Sequence, residues 1–82
     1  MKVQIHVTLK KSVLDPQGEA IKKGLNSLGY AELEQVRMGK YFELTLEGND
    51  SDETQVRLKQ MCEKLLANPV IEDYRIETVE DK

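Results

Sequence analysis

Nine residues near the amino terminus, KVQIHVTLK, alternate without a break: Val3, Ile5, Val7 and Leu9 fall on one side, and Lys2, Gln4, His6, Thr8 and Lys10 on the other. Only a pleated strand puts every second side chain on one face. The chain therefore contains a half-buried strand, and the rest of the sequence must supply a cover for its apolar side. Two helical stripes answer to that need. In the first, Asp15 is placed to cap and Pro16 suits the first helical position, where a missing N–H has no partner to lose. Ile21, Leu25 and Leu28 then recur on one face. Glu19 and Lys23 are four apart in the favourable order, and Gly29 closes the helix in left-handed conformation. Gly24, beside the stripe, implies close approach to another backbone. The second helix follows the polar loop GNDSD, with Asp50 or Ser51 as its cap, and runs to about Ala67. Leu58, Met61, Cys62 and Leu65 form its stripe, with Leu66 at the margin; Asn68-Pro69 stops it.

Between the helices, residues 31–38 and 41–47 read as a β-hairpin. A two-residue turn at Gly39-Lys40 would mix core and solvent residues on each face, which register forbids where one face is buried. A three-residue tip, Met38-Gly39-Lys40, removes the conflict. Val36 then faces Phe42 on the buried side, and Arg37 faces Tyr41 on the open side. Residues 70–79 form the last strand, with Tyr74, Ile76 and Thr78 on one face and Asp73, Arg75 and Glu77 on the other. The order is β-α-β-β-α-β: an α+β fold, ferredoxin-like or related, with two helices on one face of an antiparallel sheet that a second copy can extend. No linker or repeat divides the chain, so residues 1–82 form a single domain.

The 82-residue length has a consequence for assembly. Such a domain buries only about 60–65 % of its chain surface and benefits from a partner. The net charge of −3 gives no electrostatic case for nucleic acid. No run of about 18 apolar residues exists to cross a membrane, and the amino terminus lacks the apolar core of a signal peptide. One cysteine, Cys62, excludes an internal disulfide, and the plain expectation is a cytoplasmic protein.

Catalytic chemistry finds no foothold. His6 is the sole histidine and sits mid-strand without a carboxylate beside it on its own strand face. Cys62 belongs to an apolar stripe, where a thiol is packing rather than nucleophile. One His and one Cys do not make a structural zinc site. The acid pairs Glu32/Glu34 and Glu72/Asp73 read as solvated, and no phosphate-binding glycine motif is present. What remains is a binding or assembly module, with Arg37, Met38, Lys40 and Tyr41 as the candidate partner-binding residues at the hairpin tip and open face. A different class, a regulatory module binding a metabolite at a dimer interface, would use a glycine-rich turn after the first strand. KKSVLDPQG, with its one glycine inside the first helical turn, fits that poorly.

Three segments carry the reading further. LKKSVLDPQGEAIKKGL, VRMGKYFELTL and MCEKLLANPVIEDYRIE together resemble the PurS family, the small subunit of phosphoribosylformylglycinamidine synthase in purine biosynthesis. The resemblance covers nearly the whole chain. It implies a non-catalytic subunit of an ATP-dependent glutamine amidotransferase ligase. In that complex a glutaminase subunit releases ammonia. A large synthetase subunit uses ATP and Mg to activate the formylglycinamide ribonucleotide amide and inserts the nitrogen. The small subunit, a dimer, bridges the two and assists ammonia transfer. It binds no cofactor itself, and no catalytic residue is implied at any position here.

Overall fold

The computed structural model describes residues 1–79. Three strands, β1 (Lys2–Leu9), β2 (Gly39–Thr45) and β3 (Glu72–Val79), form one antiparallel sheet in the order β2-β1-β3. β1 is central because both of its hydrogen-bonding edges are used: Ile5 lies opposite Phe42 on one side and Ile76 on the other. Its apolar positions Val3, Ile5 and Val7 are fully buried, as the alternation requires. Helix α1 spans Pro16–Ser27. Helix α2 spans Asp52–Met61 and continues through a π-helical turn at Cys62–Leu66. Leu58, Cys62 and Ala67 complete the core against the sheet, with Phe42, Leu44, Met61, Leu66, Tyr74 and Ile76 packed around them.

The helix caps are those the sequence implies. The Gly18 N–H donates to the Asp15 carboxylate at 2.9 Å, and the Thr54 N–H to the Ser51 hydroxyl at 3.2 Å. Pro16 occupies the first turn. α1 ends in paired bonds from the Gly29 N–H to the Asn26 carbonyl and from the Tyr30 N–H to the Leu25 carbonyl, both 3.1 Å. Gly29 has φ +107°, a left-handed conformation that costs glycine nothing.

Four expectations are corrected. Residues 31–38 form no strand, so the hairpin and its Val36–Phe42 pairing are absent. Gly39 and Lys40, expected at a turn, already lie in β2 opposite Thr8 and Val7. A Cβ at Gly39 would run into the Val7 carbonyl oxygen, so glycine here serves close strand approach rather than a turn. The second correction concerns α1. Gly18 is its only buried residue, and among the described residues only α2 with its π-helical turn covers the sheet. The radius of gyration is 16.2 Å, against about 12 Å for a compact chain of this length. Third, Gly24 approaches no other backbone: nothing lies within 4 Å of where its Cβ would be. Fourth, Leu65 points outward and is 84 % exposed. The Ala67 N–H donates to the Cys62 carbonyl five residues back, at 2.8 Å. That wider turn shifts the helical phase, so Leu66 packs on the core instead.

The sheet order is that of a split β-α-β arrangement in which the place beside β2, where residues 31–38 would have paired, stands open among the described residues.

Candidate interaction surfaces

The chain leaves β1 at Leu9 and re-enters the sheet at Gly39, next to where it left. The excursion between them is an arm: α1 goes out and residues 28–38 come back. Its foot is tightly tied. Asp15, 5 % exposed, receives the Gly18 N–H on one carboxylate oxygen and the Met38 N–H on the other, at 2.9 and 2.8 Å. These bonds, first that from Met38 and then that from Gly18, hold its carboxyl below the usual carboxylate range; the Arg37 charge adds to them, and burial opposes them. A Cβ at Gly18 would collide with the Val36 carbonyl oxygen, so only glycine lets the returning segment of the arm lie this close to the helix. The Arg37 guanidinium donates to the carbonyls of Leu9 and Lys10 at 2.8 and 2.9 Å, pinning the arm's return to the end of β1.

Beyond the foot the arm carries an uncovered apolar stripe. Ile21, Leu28 and Tyr30 are exposed, Leu28 by 75 %. Leu25, Tyr30 and Leu33 line a shallow hollow between α1 and its return. The Asn26 side chain shapes that return by donating to the Tyr30 and Leu33 carbonyls at 2.8 and 3.3 Å. The stripe that the sequence assigns to the core thus faces outward within a single chain. Leu65 and Val70, beside the carboxyl end of α2, are a second exposed apolar pair.

The residues singled out for partner binding are dispersed by the fold. Arg37 serves the foot of the arm. Met38 is exposed, although its N–H is held by Asp15. Lys40 pairs with Glu72 at 3.5 Å and reaches the Leu66 carbonyl at 3.4 Å. Tyr41 stacks obliquely on the His6 ring across the polar face of the sheet, with centroids 5.0 Å apart. Arg37 and Tyr41 are therefore not a cross-strand pair. Sequence reasoning found Asp15 as a cap but not as the clamp of the arm. It placed Gly18 in the first helical turn but missed its close approach to Val36, whose signal was a glycine three residues after the cap.

The titratable side chains of the described residues are engaged as follows. Burial, and secondarily Glu63, pushes the Cys62 thiol up, away from the reactive thiolate. The His6 imidazole lies 3.9 Å from the Glu77 carboxylate, while Glu77 is engaged by Arg75 at 3.1 Å. Among the described residues no three His, Cys, Asp or Glu side chains converge to hold a metal ion.

Known proteins share this architecture. The family model described as PurS, phosphoribosylformylglycinamidine (FGAM) synthase, matches residues 2–80. The chain is 58 % identical over 79 residues to phosphoribosylformylglycinamidine synthase subunit PurS of Bacillus subtilis strain 168, spanning 96 % of this chain and 93 % of that one. It is 40 % identical over 75 residues to the subunit of the same name from Methanocaldococcus jannaschii, spanning 92 % and 90 %. Among solved structures, B. subtilis PurS in a C2 crystal form superposes with a TM-score of 0.87 at 58 % identity, over 96 % of this chain and 98 % of that one. A chain in the structure of PurLQS from Thermotoga maritima gives 0.84 at 32 % identity, over 95 % of each.

Proposed function

Since the chain belongs to the PurS family, we propose that it is a non-catalytic subunit of phosphoribosylformylglycinamidine synthase, bridging the glutaminase and synthetase subunits and assisting ammonia transfer in purine biosynthesis. It works as a dimer or larger assembly of its own kind. The observation that carries this reading is the uncovered arm: an apolar stripe of Ile21, Leu25, Leu28 and Tyr30 with no cover from its own sheet. A second copy supplies the cover, and the open edge of β2 is a further pairing template.

The bridging role has a chemical reason. Ammonia released into neutral water is protonated, and ammonium has no lone pair with which to attack an activated amide. A subunit that keeps the two active sites in enclosed contact preserves the nucleophile. ATP and Mg are used by the large subunit, and this chain binds no cofactor. A role in purine biosynthesis places the protein in the cytoplasm. Among the described residues no helix is long and apolar enough to cross a membrane.

Reconstitution tests this. The chain is mixed with the glutaminase and synthetase subunits, with and without glutamine and nucleotide, and synthesis is driven by glutamine or by free ammonium. The expected result is co-elution, with glutamine-driven synthesis that depends on this chain more strongly than ammonium-driven synthesis does. Full glutamine-driven activity in its absence would end the proposal.

A further inference from the structure

We propose that Asp15, Gly18 and Arg37 form a latch that sets the direction of the arm, holding α1 away from its own sheet so that its apolar stripe is presented to a second copy of the chain; this rests on the self-assembly reading above.

The topology creates the need for such a device. The two ends of the arm meet the sheet at neighbouring strands, Thr8 lying opposite Gly39. Tethered only there, α1 could swing. Folding back over the sheet would satisfy Ile21 and Leu25 within one chain, at the expense of assembly. Three contacts together oppose that movement. One Asp15 carboxylate joins the arm's beginning, at Gly18, to its end, at Met38, with each oxygen committed to one N–H. Gly18 packs its bare Cα against the Val36 carbonyl, a distance no side chain tolerates. Arg37 then fixes this closed foot to β1 through the Leu9 and Lys10 carbonyls. The tail of β1 is itself held, since the Lys10 N–H donates to the Ile71 carbonyl at 2.9 Å.

An arm held in one direction loses little freedom when it docks. Binding surfaces ordered beforehand gain affinity by that saving rather than by added contacts. The latch residues therefore govern association without needing to touch the partner.

Three variants separate the contacts. Asp15→Asn keeps the size but turns one oxygen into a donor that cannot receive an N–H. Gly18→Ala adds the colliding Cβ. Arg37→Lys keeps the charge but lacks the planar fork. Each is labelled with spin probes at Ser27→Cys on the arm and Glu43→Cys on the sheet, since fully buried Cys62 takes no label in the folded chain. Labelled chain is diluted into excess unlabelled chain, so that only the distance within one chain is read. Sedimentation equilibrium follows association in parallel. The parent should give one narrow distance. The variants should broaden it and weaken self-association about tenfold or more. A parent that is monomeric, with variants that still broaden the distance, would remove the self-assembly reading and leave the latch standing. Unbroadened distances in all folded variants would overturn the latch, whether or not association weakens.

Discussion

Asp15 concentrates several roles in one carboxylate. It caps α1, clamps the returning chain at Met38 and stays charged although almost no water reaches it. Its folded pKa lies below the ordinary 3.8, so the unfolded chain takes up a proton first as pH falls. The stabilisation from Asp15 is thus fully present above about pH 4 and is lost below it, as pH drops through the folded value. Acid titration of the parent and of Asp15→Ala should show the two stabilities converging at low pH; parallel curves down to pH 2 would contradict the clamp. The neighbouring residues divide differently. Arg37→Ala should cost about 1–3 kcal/mol, because it abandons two carbonyls that a charged donor now satisfies. Met38→Ala with Tyr41→Ala, at exposed positions, should change stability by no more than about 0.5 kcal/mol per site in urea denaturation. A loss of partner binding by that double variant would then report on contact rather than folding.

Among the elements, the π-helical turn after α2 is the one that overrides a sequence pattern. Leu58 and Leu65 stand seven apart and read as equals in one stripe. Leu58 is 0 % exposed, at the centre of the core, and Leu65 is turned to solvent. Leu58→Ala should therefore cost about 2–5 kcal/mol. Leu65→Ala should cost no more than about 0.5 kcal/mol in dilute urea titrations. A larger Leu65 effect that grows with protein concentration would locate it in an interface between chains. The thiol of Cys62, raised by burial and then by Glu63, should react with a disulfide reagent only as the protein unfolds.

For the whole molecule, the decisive property is its extension: principal extents of 48 × 32 × 14 Å, thin in one direction because a single helix layer covers a three-stranded sheet. A small core of this kind leaves little margin for independent folding. Stability should rise with protein concentration, since association favours the folded state by mass action. Leu25→Ser with Leu28→Ser should abolish that dependence and leave a folded monomer with β1 and α2 intact, checked by thermal midpoints across a hundredfold concentration range together with sedimentation. A concentration-independent parent would show that the arm has another use.

The strand β1, both helix starts and the Gly29 stop were legible in the residues alone, because alternation and caps are local properties. The family resemblance, too, lay in contiguous segments. The arm was not legible. Residues 31–38 have no clean period of their own, since Leu33 and Val36 would fall on opposite faces of a strand, and the ties of Met38 to Asp15 and of Arg37 to β1, contacts spanning 23 to 28 residues, hold that segment outside the sheet. Likewise the stripe of α1 declares an apolar face, but a sequence does not say which chain covers it. A periodic pattern states that a face must be buried; where the backbone turns at Gly18 and Asp15 decides against what.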